Sequence, residues 1–224
     1  MRVAGAEEQK MNADNPSREV ILGRIRDALG AAPAPAPAPC AYSSIFDPIA
    51  NPLERFQQEC AANLMECLLS SDEASSTQHL ATALSSLPAG EIFAQDDPIL
   101  RRLLTSAAVA QQMRWSSEGA PAESSQATIS RCEALIAQTG SIFVTAACGG
   151  RGASIVAPVH IVYATASQLV PDLETALTNA TRNQTLSRGS FACVISGSSR
   201  TADIEKILVE GAHGPRRLVV IVQL

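Results

Sequence analysis

The sequence predicts an α/β protein built on a largely parallel sheet, and three observations lead there. Its second half carries short apolar runs, at 141–145, 160–164, 192–195 and 218–223, separated by glycine-rich or helix-patterned segments. The last two runs, ACVI and LVVIVQ, are continuous rather than alternating, as strands covered on both faces are. Between them the chain reads strand, turn SGSSRT, helix ADIEKILVE, turn GAHGP, strand, which is the pattern of a βαβ unit with Ile204, Ile207 and Leu208 on the buried face of its helix.

The N-terminal end is an appendage. Residues 1–14 are polar and carry no periodicity, whereas PSREVILGRIRDALG (16–30) sets Ile21, Leu22, Ile25 and Leu29 at helical spacing and ends on Gly30. The run AAPAPAPAP (31–39) removes backbone donors at every second position and favours a stiff polyproline II spacer. The expected organisation is therefore a tail, an amphipathic helix and an Ala/Pro linker over 1–39, followed by one domain over 40–224. A chain of 224 residues has room for one substantial core. The first helix packs either on its own core or on a partner or second copy of the chain.

Within the domain, Asn51-Pro52-Leu53-Glu54 opens a helix, and Leu53, Phe56, Cys60, Leu64, Cys67 and Leu68 fall on one apolar stripe. A second helix is expected over 75–87, a strand over 91–94 and a helix over 98–104. Ser130-Arg131-Cys132-Glu133 has the form of a capping box and predicts a helix running to Gly140. Strands follow at 141–145 and 160–164, with a further helix over 168–178.

Charge and composition exclude several function classes. The 17 Lys and Arg against 22 Asp and Glu leave a formal charge of -5, without the basic stripe that a phosphate backbone requires, so no nucleic-acid partner is expected. No apolar run approaches the roughly 20 residues of a membrane-spanning helix, and the opening MRVAGAEEQKMNADNPS has no apolar signal core, so the expectation is a cytoplasmic protein without a membrane partner. Six scattered cysteines (40, 60, 67, 132, 148, 193) include no CxxC pair, which argues against a cluster or structural zinc, and no cofactor or metal is expected. Cys148, beside two glycines, reads as an accessible loop thiol with no base at hand.

The candidate site residues gather in the last third. After a strand, SGSSRT offers small residues before a helix N-terminus, and Arg200 supplies a planar positive fork, so Gly197, Ser198, Ser199, Arg200 and Thr201 form a candidate site for a carboxylate or phosphate. The plainer reading is that Ser199 or Thr201 caps the helix and Arg200 pairs with a nearby acid. Asp203 and Glu205 stabilise the helix start or, on the other reading, bind ligand or act as base. The loop CGGRGAS (148–154) lacks both the Walker A and the dinucleotide spacing. It is either a plain hairpin or a segment that brings Arg151 over the ligand. His160 and His213 are expected at one sheet edge, with His213 either bonded in its turn or facing the pocket. The turn after Val194 and Ile195 is expected at the carboxyl ends of the sheet strands, where open α/β sheets bind ligands.

Three segments carry a resemblance: TGSIF (139–143), SGSSRTADIE (196–205) and GAHGP (211–215), with Arg151 preceding VAPVHIVY. In order and spacing they resemble the LUD-domain family, in particular its lactate-utilisation protein C type. The resemblance covers 125–224, and SREVILGRIRDAL is similar to the family's usual start. It implies a three-layer α/β/α fold of the NagB/RpiA/CoA transferase-like kind, shared with 5-formyltetrahydrofolate cyclo-ligase. It also implies an accessory, assembly or regulatory role in bacterial oxidation of L-lactate to pyruvate beside iron–sulfur partner proteins. The alternative, from the same fold, is a stand-alone enzyme acting on an acyl or phosphorylated small molecule. A homo-oligomer fits either reading.

Overall fold

The computed structural model describes residues 16–30, 46–107, 112–119, 121–201, 209–210 and 214–224. The chain divides into two compact units, Met1–Tyr42 and Ser43–Leu224. The first contributes helix α1 (Pro16–Gly30), with the bounds its periodicity predicts and with Ile21, Ile25 and Leu29 exposed. The Ala/Pro run lies outside the described residues.

The second unit is a three-layer α/β structure. Its centre is a six-stranded parallel sheet, made of β1 (Glu66–Ser70), β2 (Glu91–Ala94), β3 (Gln112–Trp115), β4 (Ala127–Ser130), β7 (Val159–Thr165) and β12 (Arg217–Gln223), in the order β1-β12-β7-β4-β2-β3. One face buries Ile92, Ile129, Ile161, Tyr163, Val219 and Ile221 under α3 (Glu73–Ser85) and α4 (Pro98–Ser106). The opposite face buries Val162, Val220 and Val222 under Phe56 and Cys60 of α2 (Pro52–Ala62). Beside α2 lies a second, four-stranded sheet. That sheet runs β8-β5-β6-β9, where β5 is Ala134–Ile136, β6 Ser141–Thr145, β8 Leu169–Val170 and β9 Ala192–Ile195. Helix α6 (Leu173–Arg182) packs Ala176 and Ala180 on its outer side. Successive side chains along β7 and β12 enter opposite cores, and those two apart share one, as the pleat requires.

Several sequence expectations are corrected. The α2 stripe predicted a helix through Leu68, but the helix stops at Ala62 and Cys67 and Leu68 belong to β1. Leu64 turns left-handed at φ 56, Leu64 N–H donates to Ala61 O (3.2 Å) and Met65 N–H donates to Cys60 O (2.8 Å). This Schellman closure satisfies the last carbonyls and ends the helix.

The capping box at 130–133 does not start a helix. Its groups are committed elsewhere: Ser130 Oγ to His160, Arg131 N–H to Gln95 Oε1 (2.7 Å), Glu133 N–H to Phe143 O (2.8 Å), and the Glu133 carboxylate to the Thr145 hydroxyl (2.7 Å). The segment becomes β5 and a short 3-10 turn ending at Gly140. The helix expected from 168 begins at Leu173, because Gln168 is spent on Thr165 N–H and Cys132 O while Asp172 caps Thr175 N–H (2.7 Å).

The closing βαβ unit is also overturned. β9 pairs antiparallel with β6 in the small sheet and β12 lies in the large one, so the two strands share no sheet. Arg200–Thr201 (β10) pairs antiparallel with Val209–Glu210 (β11), so 209–210 are strand and not helix. Residues 202–208 lie outside the described residues.

Two left-handed positions give opposite expectations for stability. Gly140 (φ 58) lies against the α2 backbone, where a Cβ would stand 2.6 Å from Glu59 C and 2.7 Å from Cys60 N. Leu64 holds a similar φ with an exposed side chain. Gly140→Ala is expected to cost more than about 2 kcal/mol, and Leu64→Gly to stabilise by about 0.5–1 kcal/mol, measured as opposite displacements of the urea midpoint.

Candidate functional site

The SGSSRT turn and the segment before β12 come together, as their shared prominence in the sequence suggested. Ser199 N–H donates to Pro215 O (2.8 Å), and a Cβ on Gly214 would meet Ser199 Cβ at 3.1 Å. Gly197, at φ 91, lies so close to the end of α2 that a Cβ would be 2.3 Å from Asn63 O, so a side chain there is excluded. Ser196 Oγ and Ser141 Oγ are 2.6 Å apart, and Asn63 Nδ2 donates to Thr139 O (2.9 Å), tying the turn and α2 to the small sheet. Ser198 and Ser199 are half-buried. Arg200 and Thr201 have strand backbone in β10, so no helix N-terminus opens at these two residues, contrary to the expectation. Asp203, Glu205 and His213 lie outside the described residues.

The location of this turn differs from expectation. Pro215 lies two residues before the start of β12, and Arg216 N–H donates to Pro158 O (2.9 Å) just before β7. The turn therefore lies at the amino ends of the large sheet's strands, although it follows the carboxyl end of β9. Arg151 opens the five-residue helix α5 (Arg151–Ile155) and is exposed. Gly149 approaches Gln95 and Phe93, while Ile155 O lies 4.0 Å from a Cβ built on Gly214. Arg151 and Ser199 thus lie toward opposite ends of α5, whose length is about 7 Å.

His160 is not an edge residue. It is completely buried on the face of β7, its Nε2 lies 2.9 Å from Ser130 Oγ, and Nδ1 has no hydrogen-bond partner. Burial pushes its pKa down to about 4, so the ring is neutral at neutral pH. Cys148 is likewise buried rather than accessible, with its thiol 3.8 Å from Glu133 Oε1, and burial pushes the pKa up to about 11, opposite to what a nucleophile needs. Among the described residues no group of three His, Cys, Asp or Glu is arranged to hold a metal. A concavity of about 480 Å³ between residues 46–51 and α2 is lined by none of the candidate residues.

The polar groups that the sequence reading missed stand at the carboxyl ends of the parallel strands. Gln95, after β2, accepts from Arg131 N–H and donates through Nε2 to Ala147 O (2.9 Å). Asp97 caps α4, with Oδ1 accepting from Ile99 (2.8 Å) and Leu100 (3.1 Å) N–H. Asp96 pairs with Arg101 at 2.5 Å and takes the Ser117 hydroxyl, which together hold its pKa down at about 2. Arg131, directly after β4, lies over the Tyr163 ring at 5.2 Å. The available signal was position: QDDP directly follows EIFA, and Arg131 directly follows ATIS.

Comparison with known proteins gives the kinship. The model of the LUD domain matches residues 89–222, well over half of the chain. The chain belongs to the LUD-domain family. Lactate utilization protein C of Deinococcus radiodurans is 35% identical over 98 residues, which is 43% of this chain and 45% of that protein, so the match spans less than half of the relative. The crystal structure of a DUF162 family protein from Deinococcus radiodurans shares the fold, with a TM-score of 0.60 at 19% identity over 83% of this chain and all of that one. The LUD-domain match begins at β2 and ends in β12, so it takes in the large sheet from β2 onward and the whole small sheet.

His160 sets a pH dependence of stability in this LUD domain. With a folded pKa near 4 against an ordinary 6.5, the unfolded chain takes up the proton first, so stability is full above pH 6.5 and falls as pH drops toward 4. The loss is about 3 kcal/mol by pH 4. Urea midpoints of wild type and His160→Gln should converge or cross over this interval; parallel pH profiles would refute the assignment.

Proposed function

We propose that this LUD-domain chain is an accessory component of bacterial L-lactate oxidation to pyruvate, a subunit or an assembly or regulatory factor acting beside iron–sulfur partner proteins in the cytoplasm. The observation that carries this reading is the 35% identity to a lactate utilization protein C. The fold in this reading is that of the CoA transferases and sugar-phosphate isomerases, used without a cofactor of its own.

The turn at Gly197, Ser198, Ser199, Arg200 and Thr201 is its anion-recognition element, joined by His213 and Arg151. Two features support this. The turn is held rigidly by Ser199 N–H on Pro215 O and by the close packing of Gly197 on α2, and a fixed backbone is what a binding loop needs. A guanidinium at position 200 suits a planar carboxylate, whether on a small molecule or on a partner's side chain. Asp203 and His160 take supporting parts, His160 through the buried bond to Ser130 that fixes the neighbouring strands.

Deleting this gene alone from its host is expected to abolish growth on L-lactate and leave growth on pyruvate unchanged. Complementation with wild type restores growth. Arg200→Ala fails to restore it while staying soluble, with stability within about 1 kcal/mol of wild type. Normal growth of the deletion strain on L-lactate would overturn the reading.

A further inference from the structure

The connections of the large sheet mark a second place for a ligand. From β2 the chain crosses through α4 to β3, on the outer side. From the adjacent strand β4 it crosses through β5, β6 and α5 to β7, on the other side and over the other face. Neighbouring strands whose connections depart in opposite directions open a crevice at their carboxyl ends, and open α/β sheets bind ligands there. In this chain the crevice lies between Ala94 and Ser130, and the residues that follow are Gln95, Asp97 and Arg131.

Arg131 follows β4 at that crevice, and its guanidinium spans from Asp97 on the β2 side to Tyr163 and Gln168 on the β7 side. Its side chain is 17% exposed and its guanidinium lies across the Tyr163 ring. Among the described residues that guanidinium makes one hydrogen bond, NH2 to Gln168 Oε1 at 3.2 Å. Nε is buried without a partner, and NH1 stands 3.8 Å from Asp97 Oδ1, an oxygen already accepting two backbone N–H groups. A guanidinium has five donors, and leaving the buried Nε–H unpaired is costly unless an acceptor completes the set. The clamp around it is rigid: Gln95 holds its backbone N–H, and Gln168 is fixed by Thr165 N–H and Cys132 O.

We propose that Arg131 is the anchor of a binding site for a small monocarboxylate at the β2/β4 crevice, distinct from the 197–201 turn. A carboxylate matches the guanidinium fork with two parallel bonds. Asp97 beside it already offsets one positive charge, so a doubly charged phosphate is disfavoured where a singly charged, planar ligand is accepted. The inference stands on topology and on Arg131 and is independent of the lactate reading; the growth phenotype can fail while this site holds.

The test is a titration of the full chain with acetate, L-lactate, pyruvate and, at matched ionic strength, orthophosphate, read at the Arg131 Nε–Hε resonance. At least one monocarboxylate, at concentrations up to about 20 mM, is expected to shift that resonance saturably, and phosphate is not. Arg131→Lys, which keeps the charge and loses the fork, should weaken binding by about tenfold or more, whereas exposed Arg182→Ala leaves it unchanged. The wild-type resonance decides the matter even if the lysine variant is unstable. No saturating shift with any of the three, an equal shift with phosphate, or undiminished affinity in Arg131→Lys would overturn the proposal.

Discussion

The parallel pairing of β7 with β12 is the constraint on which the rest of the second unit depends. Seven consecutive residues are in register, Arg217 opposite Val159 through Gln223 opposite Thr165. Because both strands are covered on both faces, each side chain enters one of two cores, and a slip by one residue would exchange them. Val162, Val220 and Val222 are committed to the α2 side, Ile161, Val219 and Ile221 to the α3 and α4 side. Burial of each such side chain contributes roughly 1.5–3 kcal/mol, more than the roughly 0–1 kcal/mol of an exposed ion pair such as those among the described residues. The bidentate Arg217–Glu66 and Arg102–Glu73 pairs (2.6 Å in each case) are half-exposed and fix local geometry more than they stabilise.

With that sheet in place, the small sheet and α2 are positioned by close backbone contact. Gly140 and Gly197 both lie where a Cβ would strike α2 or the residue that ends it, one at Glu59 and Cys60, the other at Asn63. The SGSSRT turn thereby inherits its position from the end of α2, far apart in sequence. This is why a segment conspicuous in the sequence sits at the amino ends of the large sheet, opposite the rim where Arg131 and Asp97 stand.

Charged groups stand at both ends of the large sheet, with Arg217–Glu66 at the amino ends of β12 and β1. On the large sheet's buried face near the amino ends, His160 is neutral and bonded to Ser130. At the carboxyl ends the charges cluster: Asp96 with Arg101, which stacks on Trp115 at 4.1 Å, Glu73 with Arg102, and Arg131 over Tyr163. Arg101 and Arg102 each have a carboxylate within hydrogen-bond distance; among the described residues, the carboxylate paired with Arg131 is at 3.8 Å.

The sequence by itself determined the elements whose signals are local. The helix at 16–30, the strand at 91–94, the strand at 141–145 and the family to which the chain belongs were legible in periodicity, caps and the TGSIF, SRTADIE and HGP segments, because those signals depend on near neighbours. Tertiary structure decided what pairing partners decide. The capping box at 130–133 lost to a strand because His160, Gln95, Phe143 and Thr145 offered its groups better partners than a helix would. The continuous apolar runs 192–195 and 218–223 look alike in sequence, yet they lie in different sheets, since an apolar run records that a strand is buried and not which neighbour buries it. The rim residue Arg131 stayed hidden for the same reason: its meaning comes from β2 and β7 on either side of β4, and that order is set by packing alone.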